Sequence, residues 1–169
     1  SGINDETAPK WSIITYHFPK LGKRKAVKVT WYDGGKKPNP ALASQKELPG
    51  NGSILIGSKD TLYIPMYWGK GTFLSGATVA DHKDVPETIE KPADFNRHHY
   101  LEWIDACKGG KPAWSNFDYA GPMTEAMLLG LVALRSGKKI EWDAKKMRVK
   151  NVPEANRFIH NEYRKGWVL

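Results

Sequence analysis

The nine-residue run Ala126–Leu134 constrains this chain more than any other stretch. It reads Ala-Met-Leu-Leu-Gly-Leu-Val-Ala-Leu, so a helix drawn through it is apolar nearly all round. Such a helix must be wrapped in protein or in lipid. Nine residues fall far short of the roughly 20 needed to cross a bilayer, so a protein core is expected around it. Pro122 is tolerated only in a first turn, which places the helix start near Asp118 or Tyr119. Ser136-Gly137 ends it.

Strands precede this helix. Trp11–Phe18 is β-branched and aromatic, Pro19–Gly22 is a turn, and Arg24–Tyr32 alternates, with Ala26 or Val27, Val29 and Trp31 on one covered face. Asp33-Gly34-Gly35 ends this hairpin, and residues 36–52 are loop. Short strands are predicted at Ser53–Gly57, Thr61–Pro65 and near Thr72–Leu74, followed by an irregular stretch over 81–92. Asp94 is placed to cap a helix over Phe95–Lys108, with Tyr100, Leu101, Trp103, Ile104 and Cys107 on its apolar side. Lys139–Trp142 reads as an edge strand and Pro153–Tyr163 as a last helical stretch, with the tail docked by Trp167 and Leu169. Strands come first and helices later, without βαβ alternation. The expected fold is α+β over a single domain of residues 1–169: a mostly antiparallel open-faced sheet with helices packed on one face.

Charge and cysteine usage narrow the partners. The formal net charge is +8, but the basic residues are spread over Lys20–Lys28, Lys36-Lys37, Lys138-Lys139 and Lys145–Lys150, with acidic residues between them. No nucleic-acid-binding motif accompanies them, so they read as a solvated surface and no nucleic-acid partner is expected. No signal peptide or membrane-spanning run is found, so no membrane partner is expected. Cys107, the sole cysteine, rules out an internal disulfide and reads as a buried, inert thiol. Seven Trp and seven Tyr imply an aromatic-rich core or groove.

Asn116, Asp118 and Tyr119 sit where a loop enters the apolar helix. Short polar side chains beside a ring suit polyol and sugar recognition, hydroxyls on the former and a C–H face on the latter. Helix capping by Asp118 and core filling by Tyr119 explain the same residues equally well. Tyr32 and Asp33 before two glycines are a second candidate pair, which turn chemistry alone also accounts for. A dinucleotide needs a Gly-x-Gly-x-x-Gly turn, and none is present; Gly69-Lys70-Gly71 is the nearest approach, with Leu74 at the third glycine position. His98 and His99 are adjacent and point apart on a helix, so no metal site is expected.

Five segments together carry a family resemblance: Thr30–Gly35, Leu48–Gly52, Glu102–Gly110, Ser115–Pro122 and Arg164–Leu169. They are similar, in one order, to the bacterial-type C-terminal domain of the Gfo/Idh/MocA oxidoreductases. The resemblance implies part of an NAD(P)-dependent sugar or polyol oxidoreductase, with NAD or NADP held by a Rossmann domain that this sequence does not contain. It implies that Asn116, Asp118 and Tyr119 face the sugar, and that the domain assembles as a homo-oligomer through its open sheet face. It assigns no catalytic residue to this chain. Glu90-Lys91-Pro92 matches the family's proton-transfer motif in letters, but here it precedes a helix and is read as a helix entrance. Asp94 and His98 have the spacing of the family's acid–base pair, yet capping by Asp94 is preferred. Trp114 stands where the family more often has a smaller residue. A stand-alone carbohydrate-binding module is the alternative expectation, and a bacterial compartment, periplasm or cytoplasm, is left open.

Overall fold

The computed structural model describes residues 2–4, 6–66, 70–82, 84–86, 88–89, 97–160 and 162–167. In chain order the strands and helices are β1 (Ile13–Phe18), β2 (Val27–Tyr32), β3 (Ser53–Ile56), β4 (Thr61–Ile64), β5 (Thr72–Phe73), α1 (His98–Cys107), α2 (Phe117–Ser136), β6 (Trp142–Asp143) and β7 (Arg148–Val149). Short 3-10 segments lie at Pro40–Ala43, Val79–His82 and Pro153–Phe158. The class is α+β with antiparallel sheets. Among the described residues the strands divide among three small sheets, β1-β2, β3-β4-β5 and β6-β7, where one larger sheet was expected. The chain forms two compact units, Ser1–Trp31 with Asp94–Leu169, and Tyr32–Ala93.

In the first unit α2 is the organising element. Asn116, in extended conformation, caps it with its own side chain, so the helix begins at Phe117, ahead of the predicted Asp118 or Tyr119. Pro122 therefore falls past the first turn, at the sixth helical residue. It has no N–H to give the Asp118 carbonyl one turn back. β1 meets α2 at Gly130, where a Cβ would stand 3.1 Å from both Ile14 Cδ1 and Tyr16 Cζ. The Tyr16 hydroxyl donates to the Met127 carbonyl at 3.2 Å, and partial burial pushes its pKa up. On another side Val132 packs with Val149, Val152 and Ala155, flanked by Ile140, Trp142, Phe158 and Ile159. The indole N–H of Trp142 donates to Glu125, tying β6 to α2. Asparagines complete this C-terminal segment. Asn156 accepts from Val149 N (2.8 Å) and donates to Val149 O (3.0 Å), while Asn151 accepts from Glu141 N (2.7 Å) and donates to Lys139 O (2.9 Å).

Several sequence expectations about burial fail here, for one reason: the described chain covers α2 on two sides only. Within α2 just Gly130 and Val132 are buried, while Met127, Leu128 and Leu131 are 55, 53 and 50% exposed. Val27, Val29 and Trp31 of β2, expected on a covered face, are exposed. α1 starts at His98 without a side-chain cap from Arg97 and contains no buried residue. Cys107 is exposed, where a buried thiol was expected. Asp94, Glu90, Lys91, Pro92, Gly69 and Leu169 lie outside the described residues. The last helical stretch is a 3-10 segment ending at Phe158, and Trp167 is exposed, so it does not dock the tail.

The second unit has its own small core, Ala43, Leu48 and Tyr63 with Ile54 against them. β3 and β4 pair antiparallel from Ser53–Ile64 to Ile56–Thr61, and β5 adds through Leu62–Phe73. Asp60 closes the β3–β4 turn. Its carboxylate accepts from Thr61 N (2.7 Å), Ser75 N (3.3 Å) and the Ser75 hydroxyl. Those hydrogen bonds, the Ser75 hydroxyl first, hold the Asp60 pKa below the usual aspartate value.

The accessible surface of the chain is 14580 Å². Large apolar side chains stand exposed in the first unit, among them Trp103, Phe117, Tyr119 and Leu128.

Two measurements check this packing. Gly130→Ala is expected to lower unfolding stability in urea by about 1–3 kcal/mol, because Tyr16 must leave its hydrogen bond to make room. Gly121→Ala, with open space around it, is expected to raise it by about 0.5–1 kcal/mol. Because folding depresses the Asp60 pKa, its contribution is full above the ordinary aspartate range and is lost as pH falls through the lower folded value. The protection factors of the β3–β4 amides, corrected for the intrinsic exchange rate at each pH, are expected to fall on acidification, and Asp60→Asn to remove that acid dependence.

Candidate functional site

The site is built on the entrance to α2. The loop before it is pinned to α1, since Trp114 N donates to the Glu102 carboxylate at 3.3 Å. Glu102 lies 3.6 Å from His98, one turn back on α1. Asn116 then rigidifies the entrance. Its Oδ1 accepts from Asp118 N (3.0 Å) and Tyr119 N (3.3 Å), and its Nδ2 donates to the Ala113 carbonyl at 2.8 Å. Two of the orphan amides of the helix start are thereby satisfied. One amide N–H of Asn116 remains for another partner.

This assignment bears on the two readings of the motif. The cap is Asn116, so Asp118 is not needed for capping. It sits in the first helical turn, exposed, where the positive end of the helix dipole favours its charge. Tyr119 does not fill the core; it is 64% exposed. Phe117 is 90% and Trp114 53% exposed, so a carboxylate stands among three solvent-facing aromatic rings within six residues. Chemically, the entrance can accept hydrogen bonds from hydroxyls and stack against an apolar face. The structure thus brings Asn116, Asp118 and Tyr119 together on one rigid turn.

Tyr32 and Asp33 belong to the second unit. Tyr32 is half-buried at the end of β2, and the Asp33 carboxylate accepts from Gly34 N at 2.7 Å. Gly34 and Gly35 have φ of 62° and 81°, so this turn needs glycine. Among the described residues no group of three or more His, Cys, Asp or Glu gathers in metal-binding range.

Sequence reasoning missed a second feature. An apolar groove of about 910 Å³ runs along α2, walled by Phe117, Leu128, Leu131, Trp142, Met147 and Phe158. Met147 is held at φ 47°, an uncommon conformation for a side-chain-bearing residue. The groove joins residues some 40 positions apart, and no local pattern announces it. The one available signal was the surplus of apolar residues on α2. No family model, curated protein or solved structure matches the chain.

The cap gives a direct check. Asn116→Ala is expected to cost about 1 kcal/mol of unfolding stability, while Asn116→Asp retains the cap and stays within about 0.5 kcal/mol. Asp118→Ala, exposed and outside the cap, is expected to leave stability within about 0.5 kcal/mol in the same urea titration.

Proposed function

We propose that this chain is the substrate-recognition and assembly part of an NAD(P)-dependent sugar or polyol oxidoreductase. It works with a nucleotide-binding Rossmann domain in cis and forms a homo-oligomer. The observation that carries this reading is the α2 entrance. There an uncommitted Asp118 carboxylate and the exposed Tyr119 ring stand on a turn made rigid by Asn116. Asp118 accepts a substrate hydroxyl, Tyr119 packs against the carbon face, and the spare Asn116 N–H donates to a second oxygen. The five sequence segments that resemble the Gfo/Idh/MocA C-terminal domain support the same reading. The large exposed apolar surface is in keeping with a part that is completed by further protein. Hydride transfer is supplied by the nicotinamide on the other domain, since the sequence has no glycine-rich dinucleotide turn.

A second reading has its own support. Trp114, Phe117 and Tyr119 present three exposed rings within six residues, the kind of side chain on which a stand-alone carbohydrate-binding module relies.

Titration of this chain alone with NADH and NADPH is expected to show no stoichiometric binding. In the protein joined to its nucleotide-binding domain, Asp118→Ala is expected to raise KM for the sugar by about 10–100-fold, the loss of one charged hydrogen bond. Tight NADH binding by the chain alone, or an unchanged KM in Asp118→Ala, rejects the proposal. Sugar-dependent quenching of tryptophan fluorescence in the chain alone selects the binding-module reading instead.

A further inference from the structure

We propose that the tip of the β1–β2 hairpin docks this chain onto an anionic phospholipid surface. The tip shares no residue with the α2 entrance or with the groove along α2, so it stands independently of the redox reading.

Five of the nine residues 20–28 are basic, Lys20, Lys23, Arg24, Lys25 and Lys28, and no acidic residue stands between Glu6 and Asp33. Every residue from Lys20 to Lys28 is exposed. Among the described residues no carboxylate comes within ion-pair distance of these four lysines. The other basic stretch, Lys138–Lys150, is partly neutralised: Lys138 pairs with Glu154 at 2.7 Å and Lys150 with Glu141 at 4.0 Å. The hairpin tip is therefore the place where positive charge is both dense and unopposed.

Charge alone suits any polyanion, and two further observations select lipid. Leu21 stands among the charges at 71% exposure, with Phe18 and Val27 exposed on either side of the turn. A nucleic-acid phosphate backbone offers these side chains nothing. The boundary between headgroups and acyl chains buries them, while the long Lys stems reach back to the phosphates. The second observation is that the backbone of the tip is met from within. Leu21 N donates to Arg24 O at 3.0 Å and Arg24 N to Leu21 O at 2.9 Å, around a turn in which Gly22 takes φ 55°. The Arg24 guanidinium donates to the Pro19 carbonyl at 2.9 Å and to the Lys25 carbonyl at 3.2 Å. An apolar boundary penalises unmet backbone groups, and Leu21 brings both of its own already paired. The same pairing leaves Leu21 and Arg24 no backbone N–H to give a nucleic-acid phosphate.

Arg24 thus shapes the tip, and Lys20, Lys23, Lys25 and Lys28 meet the headgroups. Each basic residue held at an anionic leaflet strengthens the attraction about fivefold. Four lysines together give several hundredfold, and Leu21 adds an apolar contact. A polybasic patch is one of the two signals that stable anchoring takes, so the docking is reversible. It needs no spanning segment, and none of the described helices is one. Read from the sequence, these lysines are a solvated surface; the structure adds a pinned turn with Leu21 on it.

Co-sedimentation of the purified chain with phospholipid vesicles tests this. At about 0.1 M salt, vesicles with about 30% phosphatidylserine in phosphatidylcholine are expected to bind it at least about twentyfold more tightly than pure phosphatidylcholine. Raising the salt to about 0.5 M is expected to remove most of that difference. Changing Lys20→Gln, Lys23→Gln and Lys25→Gln together is expected to weaken binding about a hundredfold, and Leu21→Ser about fivefold, with wild-type circular dichroism retained. Lys138→Gln with Lys139→Gln is expected to leave binding within about threefold. Equal binding to both vesicles, binding to neither, or binding unmoved by the triple variant overturns the proposal. So does a Leu21→Ser chain that binds as tightly as the original, which reduces the tip to a counter-ion site. A single- or double-stranded oligonucleotide that strips the chain from the anionic vesicles at equal phosphate concentration assigns the tip to nucleic acid and equally overturns it.

Discussion

A helix that is apolar on all sides must be covered on all sides, and α2 is such a helix. β1 covers one stripe through Ile14 and Tyr16 at Gly130, and the Val149–Phe158 segment covers another through Val132. The stripes carrying Tyr119, Met123, Met127, Leu128 and Leu131 remain open. At about 25 cal/mol per Å² of apolar area removed from water, each such side chain gains roughly 1.5–3 kcal/mol on full burial. These side chains are already about half covered, so completing their burial is worth roughly half of that each, in sum comparable to the about 5–15 kcal/mol net stability of a domain. The groove along α2 follows from that incomplete cover.

Where apolar packing is thin, polar side chains take over the positioning. Asn116, Asn151 and Asn156 each supply donor and acceptor together, and so pair with backbone as a strand neighbour would. Asp60 holds the β3–β4 turn by accepting alone, from three donors. Each bond contributes about 1 kcal/mol net, but leaving its backbone partner unmet costs more. Such bonds fix local geometry without requiring a large core. This is why the α2 entrance has a fixed geometry although its surroundings are exposed.

Much of the secondary structure was legible because it depends on nearest neighbours. β1, β2, β3, β4 and β5 fall within the predicted stretches, and the Ser136-Gly137 stop holds. The α2 start was placed one or two residues late by reasoning from Pro122 alone. At the candidate site the residue types were readable, but which of Asn116 and Asp118 caps was not. Both are good caps, and only the backbone angles choose.

By itself the sequence determined the element order, the α+β class and the need of α2 for cover, because periodicity and side-chain chemistry set these locally. Burial was decided only by the tertiary structure. It exposed Cys107, Tyr119 and the Val27–Trp31 face, divided the strands among three sheets, and opened the groove between Phe117 and Phe158. The physical reason is that a side chain's exposure depends on how much partner surface arrives from distant segments, and no local pattern counts that supply.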